Sequence, residues 1–122
     1  MARLSRKAET EIRITVNKNN EKRLLKNFPH LYRRYDRPIS ETSMCLGFEC
    51  GDGWFDLLYD LSGKIETQLK SESKDIAEQF AVEHVKEKFG TLAYYTHMES
   101  EAISRFIREA RAKSAVMFYT FL

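Results

Sequence analysis

The clearest pattern in the chain is a run of apolar residues at helical spacing between residues 53 and 70. This spacing places the apolar side chains on one face, so it predicts a central amphipathic helix with a buried stripe. A glycine inside a helix costs about 1 kcal/mol relative to alanine, so we expect a close neighbour or a bend at Gly63. The stripe consists of Trp54, Leu57, Leu58, Leu61, Ile65 and Leu69.

The residues just before this helix predict how it begins. Asp52 is flanked by Gly51 and Gly53. An aspartate carboxylate accepts hydrogen bonds from N–H groups of a first helical turn, so we expect Asp52 to be the N-cap. Gly51 tolerates the positive φ that a tight turn often requires.

Further along the chain, polar and apolar residues alternate as they do in strands. Residues 80–88 and 91–97 are rich in β-branched and aromatic residues, and Gly90 between them suits a turn. We therefore predict an antiparallel β-hairpin that turns near Phe89 and Gly90. Tyr94 and Tyr95 would point to opposite faces of their strand, so only one of them belongs to the core.

The last part of the chain predicts a helix that begins at Glu99 or Ser100. Residues 115–122, at its end, are strongly apolar and need cover from the protein's own core or from a partner. A second copy of the chain in a homodimer would bury this apolar segment. The apolar face of the predicted helix consists of Ala102, Ile103, Phe106, Ile107, Ala110 and Ser114.

The first residues of the chain favour a basic N-terminal arm or an edge strand over residues 1–18. Ile12, Ile14 and Val16 alternate with polar residues, as in a half-buried strand. A frayed arm that leads into a short helix is the competing interpretation.

Two short helices are predicted after this arm. Asn19 or Asn20 would cap a helix over residues 21–28, which Pro29 disfavours continuing. Residues 29–35 would form the second helix, because proline is well suited to a first helical turn.

Together these elements predict a single α+β domain over residues 1–122, in which residues 19–122 are the compact body. We expect a central helix, an antiparallel hairpin or small sheet, and a C-terminal helix packed over it. A hydrophobic content of 43% in 122 residues suffices for a packed core. The predicted core consists of Trp54, Leu58, Leu61, Ile65, Val82, Leu92, Ile103, Phe106 and Ile107.

Composition also predicts where the protein acts. No apolar run approaches the roughly 20 residues that a membrane helix needs, and the N-terminus lacks the apolar segment of a secretory signal. Two cysteines, Cys45 and Cys50, do not provide a disulfide framework. We therefore expect a cytoplasmic protein without a membrane partner.

The net charge of +2 hides an uneven distribution. Residues 1–38 hold eleven Lys or Arg and four Asp or Glu, which gives a net charge of +7. Residues 39–122 hold nine Lys or Arg and fourteen Asp or Glu, which gives −5, and the two parts sum to +2. A basic first third is typical of proteins that bind nucleic acid or an acidic protein surface. An arm that lies along its own acidic body explains the same pattern.

Arginine and tyrosine alternate in one short stretch after Pro29. Arginines contact phosphates and tyrosines stack on bases, which suits nucleic-acid binding. Both residue types are also enriched at protein interfaces. The candidate interface or nucleic-acid-binding residues are Tyr32, Arg33, Arg34, Tyr35 and Arg37.

The groups most suited to catalysis lie near the start of the central helix. Glu49, Asp52 and Asp56 are carboxylates that suit acid–base or metal chemistry, but carboxylates there also complement the positive end of the helix. The acids on either side of Cys50 disfavour a thiolate. No phosphate-binding loop, dinucleotide fingerprint or nucleophile elbow is present. We therefore predict no catalytic residues and no enzyme activity.

A zinc site is the remaining chemical alternative. Its ligands would be Cys45, Cys50, His84 and His97. Four residues, rather than two, separate the cysteines, and the histidines belong to different predicted strands. We expect buried thiols and ordinary strand histidines, and thus no metal ligands and no cofactor.

The order of several motifs resembles that of a known group of proteins. FPHLYR (residues 28–33) and GFECGDGWFDLL (residues 47–58) precede VKEKFGTLAYY (residues 85–95), and a helix then ends in AKS (residues 112–114). Over about residues 24–114, this order is similar to small proteins of unknown function from tailed bacteriophages and prophages. Those proteins commonly continue into a Cys-x-x-Cys element. This chain has VMFYTFL (residues 116–122) there, so no zinc role carries over.

The resemblance implies an accessory function during phage infection, such as interference with a host defence complex. The leading hypothesis is a non-enzymatic phage-type accessory protein that binds a host protein assembly, with a counter-defence inhibitor of the anti-CRISPR type as one form. The second hypothesis is a nucleic-acid-binding protein that uses the basic first third. The third is a metal-dependent enzyme or a zinc module.

Overall fold

A computed structural model describes the backbone of residues 16–120 and the side chains of residues 16–117. Within this part of the chain, four α-helices accompany a three-stranded sheet, so the predicted α+β class is confirmed. Most of the predicted arm, with Ile12 and Ile14, lies outside the described residues. The elements are α1 (Lys18–Asn27), β1 (Phe48–Glu49), α2 (Phe55–Leu69), α3 (Lys74–Gln79), β2 (Ala81–Lys88), β3 (Thr91–His97) and α4 (Glu101–Thr120).

The sheet is mixed, with the strand order β1–β2–β3. Strands β2 and β3 form the predicted antiparallel hairpin, in which Lys88 pairs with Thr91 across the turn. Strand β1 runs parallel to β2, with Phe48 opposite Val85. The sequence pattern predicts only a glycine-rich turn near β1, because two residues are too few to show strand alternation.

Helix α2 lies against the core as its apolar stripe predicts, and all six stripe residues are at most 8% exposed. Helix α4 packs against both α2 and β3. Val82, Leu92 and Ile103 are buried as expected. Phe106 and Ile107 are only partly buried and pack against the margin of the core, which corrects the prediction for these two residues.

Helix α1 begins earlier than its sequence predicts. Asn17, rather than Asn19 or Asn20, is the N-cap, and its side-chain oxygen accepts a hydrogen bond from the N–H of Asn20 at 2.8 Å. The N–H of Asn17 itself donates to the Asp52 carboxylate at 2.7 Å. Asp52, from a different part of the chain, therefore holds the N-cap residue of α1 in place.

The second predicted helix, over residues 29–35, is not formed. Turns occupy residues 29–32, and a single 3₁₀ turn follows at Arg33–Asp36. Tyr32 lies in the core there and Arg33 binds distant main-chain carbonyls, as described below. These tertiary contacts determine the backbone in place of helix propensity.

The approach to α2 differs from the prediction at both of its special residues. Asp52 makes no capping bond, because its carboxylate binds the backbone and the side-chain amide of Asn17, the latter at 3.0 Å. Gly51 has a φ of −75°, which any residue can adopt. The positive φ of 79° belongs to Gly47, where an added Cβ would lie 2.8 Å from Oε2 of Glu21.

Helix α4 covers the outer edge of β3. The N–H of Leu92 donates to the hydroxyl of the buried Ser114 at 2.8 Å. The hydroxyl of Ser100 accepts a hydrogen bond from the N–H of Ile103 at 3.3 Å, so the predicted helix start is confirmed. An edge N–H that is bonded within the chain is not free to pair with another strand.

The apolar C-terminal segment continues α4 as far as Thr120. Val116 is 69% exposed on this helix. The side chains after Met117 lie outside the description, so the predicted homodimer contact through this end stays a prediction. Across residues 16–120, no helix combines the length and the apolar character that crossing a membrane requires.

Candidate functional site

Tyr32, the first of the predicted interface residues, lies in the core with 1% of its surface exposed. Its hydroxyl is 2.6 Å from that of Ser62 and 2.8 Å from that of Tyr94, and burial raises the pKa of Tyr32 to about 12. Tyr35 is half-buried, and burial followed by the charge of Glu21 raises its pKa. Tyr32 therefore does not belong to the predicted surface, which corrects this part of the prediction.

The Arg33 side chain connects main-chain segments that are far apart in the sequence. Its guanidinium donates to the carbonyl oxygens of His30 at 2.7 Å, Glu78 at 3.0 Å and Phe80 at 2.6 Å. The last two carbonyls lie where α3 passes into β2. Partial burial, followed by the charge of Arg34, lowers the pKa of Arg33. The contacts of Arg33 are therefore structural, although its side chain reaches the surface.

Arg34 and Arg37 lie at the surface and are paired with acids. Arg34 is 3.0 Å from the Glu83 carboxylate, and Arg37 is 3.0 Å from that of Glu41. These two arginines line a depression of about 310 Å³ together with Arg33 and Glu41. Because the acids offset much of the positive charge, this cluster is not the bare basic surface that phosphate binding favours.

The groups that the sequence offers for catalysis have separate surroundings. Cys50 is 1% exposed, and burial, followed by the charge of Asp52, raises the pKa of its thiol to about 12. The acidic neighbours of Cys50 thus disfavour a thiolate, as the sequence predicts. Asp52 is held by Asn17, whereas Asp56 is exposed on the first turn of α2.

Glu49 and His84 meet on adjacent strands, where Nε2 of His84 lies 2.7 Å from Oε1 of Glu49. The ring of Tyr95 lies beside His84, with 6.0 Å between the ring centroids. Cys45 and His97 do not join this pair. Within residues 16–120, no three His, Cys, Asp or Glu side chains are grouped in a way that could hold a metal ion.

Phe89 is 93% exposed, the largest exposed fraction among the large apolar side chains that the structure describes. It occupies the first position of the hairpin turn with a φ of 55°, and Gly90 follows with a φ of 84°. Positive φ at both positions favours Asn, Asp or Gly. The left-handed region costs a residue with a Cβ on the order of 1 kcal/mol. Within the described residues, the Phe89 ring is not buried, so almost no apolar contact offsets this backbone cost.

Phe89 borders a partly apolar depression of about 440 Å³ between β3 and α4. Tyr95, which is 44% exposed, and Ile107 also line it, and Lys88 and Arg111 add two cations. We call these five residues the Phe89 surface. The sequence pattern predicts only a turn here. The available signal was a phenylalanine before Gly90, at a position where hairpins favour Asn or Asp.

A second depression, of about 530 Å³, lies between α2 and α4 and is lined by Gly63, Tyr59 and Phe106 among others. A Cβ added to Gly63 would meet no atom within 4 Å. The expectation of a close neighbour at Gly63 is therefore wrong within the described chain. Helix α2 continues through this glycine without interruption.

Comparisons with known proteins found no matching protein-family model, curated protein or solved structure. The resemblance to phage proteins therefore stays a prediction.

Proposed function

We propose that the protein is a non-enzymatic, phage-type accessory protein that binds a host protein assembly in the bacterial cytoplasm. The Phe89 surface is the binding element. Within this class, a counter-defence inhibitor of the anti-CRISPR type is the role that agrees with the resemblance to phage proteins. The burial of Cys50 and the engagement of Asp52 by Asn17 support a function without catalysis.

The observation that carries this proposal is the placement of Phe89. Phe89 has a φ of 55°, and its ring is 93% exposed, so folding buries almost none of its apolar surface to offset the backbone cost. Aromatic residues supply much of the binding energy at interfaces, because each buries a large apolar area on contact. A partner that covers Phe89 and Tyr95 would explain why both are exposed in the free protein.

Arg34 and Arg37 remain candidates for additional contacts, since both guanidinium groups lie at the surface. Each already has an acidic neighbour, so a partner carboxylate would gain little by replacing it. We therefore expect these arginines to affect partner choice and association rate more than binding affinity.

The test replaces Phe89 with a residue that suits its backbone. Asparagine is favoured at positive φ, so Phe89→Asn should keep or raise the thermal stability of the protein. A tagged wild-type protein is used to capture partners from bacterial lysate, and mass spectrometry identifies them. We expect Phe89→Asn to weaken binding to the purified partner by about 30-fold or more, as at an interface hot spot.

Ile39→Asn is the matched control, because Ile39 is 61% exposed outside the Phe89 surface. It should bind as the wild type does. Equal binding by wild type and Phe89→Asn would contradict the proposal. Capture that disappears after nuclease treatment and weakens steeply with salt would replace it with nucleic-acid binding.

A further inference from the structure

We propose that two copies of the chain associate through the exposed face of α2, with Gly63 at the contact. The face shares no residue with the Phe89 surface, so the two proposals can fail independently.

No contact made by the described residues explains a glycine at position 63. Among the amino acids, only proline is less favourable than glycine inside a helix. Gly63 lies in the interior of α2, and a Cβ there would meet none of the described residues within 4 Å, apart from the backbone of its own helix. Glycine allows another backbone to approach more closely than a side chain would permit. A helix packed against α2 at this point would therefore explain the residue.

The depression around Gly63 has a rigid aromatic wall. The Tyr59 hydroxyl accepts a hydrogen bond from the Asn27 amide at 2.8 Å, and its ring packs edge-on against Phe28 with 5.0 Å between centroids. Phe106 of α4 is partly buried on the opposite side. Because Tyr59 is already fixed, its contact with a second helix would cost little conformational entropy.

The charges beside Gly63 match those of a second copy. Asp60 and Lys64 are exposed one turn apart on α2 and lie 3.3 Å from each other. If two copies of α2 pack antiparallel about a twofold axis between these residues, Asp60 of each copy faces Lys64 of the other. Opposite charges then meet in both halves of the contact. Because Asp60 and Lys64 already pair within each chain, this complementarity determines the register of the two helices more than the affinity of the contact.

A contact between two helices buries less than the roughly 1,600 Å² of a standard interface. We therefore expect a dissociation constant in the micromolar range. Sedimentation velocity of the full chain from about 5 to about 500 μM covers this range. The protein itself is the probe, and no partner is needed.

Charge variants test the arrangement directly. Asp60→Lys and Lys64→Asp should each raise the dissociation constant by about tenfold or more, because like charges then face each other. The double variant should regain the wild-type constant. An equimolar mixture of the two single variants should form a heterodimer, since each supplies the charges that the other lacks.

Glu78→Lys is the matched control for Asp60→Lys. It makes the same change of charge in the pair Lys74–Glu78 of α3, where the two groups are 3.9 Å apart. It should leave the dissociation constant unchanged.

Gly63→Ala separates folding from association. At dilute concentration it should raise the melting temperature by about 4 °C, because alanine favours the helix. It should also raise the dissociation constant, because the methyl group keeps the second helix away. A monomer at every concentration would overturn the inference, and so would a dimer that is insensitive to Gly63→Ala and to both single charge variants.

Discussion

The hydroxyl groups of Tyr32 and Tyr94 lie 2.8 Å apart in the core, although 62 positions separate the two residues in the sequence. Ser62 lies 2.6 Å from Tyr32 and donates to the carbonyl of Leu58 at 2.7 Å. Because each hydroxyl has one proton, Tyr32 must donate to Ser62, and Tyr94 must donate to Tyr32. One directed chain of buried hydrogen bonds thus connects the turn after α1 with α2 and β3.

This direction predicts unequal effects of removing the two hydroxyl groups. Tyr32→Phe should lower the unfolding free energy by about 1–3 kcal/mol, because it leaves the Tyr94 proton buried without an acceptor. Tyr94→Phe removes only the first donor of the chain and should cost about 1 kcal/mol. Urea unfolding measures both values. Equal losses, or a larger loss for Tyr94→Phe, would show that the direction is wrong.

Alkaline solution should destabilise the protein. Burial raises the pKa of Tyr32 from 10.0 and that of Cys50 from 9.0, both to about 12. The unfolded state therefore loses these protons first, so their contribution to stability is full below pH 9.0 and is lost as the pH rises towards 12. The measurement is the unfolding free energy at neutral pH, at pH 9.0 and at pH 10.0. Cys50→Ala should lose less unfolding free energy between pH 9.0 and pH 10.0 than the wild type does. An equal loss in both proteins would contradict the raised pKa of Cys50.

The elements that the sequence predicts correctly have local patterns. The apolar stripe of α2, the alternation in β2 and β3 and the apolar face of α4 each depend on the spacing of neighbouring residues. Their burial in the structure follows the predicted faces, with Tyr94 at 6% and Tyr95 at 44% exposure. Local spacing also predicts the hairpin turn at Phe89 and Gly90.

The features that could not be predicted depend on contacts between distant parts of the chain. Asp52 looks like a cap of its own helix, yet it binds Asn17, 35 positions earlier. Tyr32 and Arg33 look alike as surface candidates, but one enters the core and the other reaches Phe80, 47 positions away. The Phe89 surface could not be predicted, because the residue type at the turn indicates only an unusual backbone, whereas the exposure of Phe89 and Tyr95 depends on how the hairpin packs beside α4.

The arginines of the predicted interface should differ in their effect on stability. Arg33→Ala removes charged hydrogen bonds to three carbonyl groups, and loss of even one of them costs about 1.5–3 kcal/mol. Arg37→Ala removes an exposed pair with Glu41 and should cost less than about 1 kcal/mol. Chemical denaturation of the two variants under identical conditions checks the ranking. A reversed ranking would mean that Arg33 does not hold the junction of α3 and β2.

The bond between Ser114 and Leu92 should protect the edge of the sheet. Ser114→Ala leaves the N–H of Leu92 without its acceptor, which should lower the unfolding free energy by about 1–3 kcal/mol. It also uncovers part of an edge strand, so light scattering should rise with concentration for this variant. Ser104→Ala is the control, because it makes the same change of helix propensity on α4. If both variants lose the same stability and stay monodisperse, the bond does not have this role.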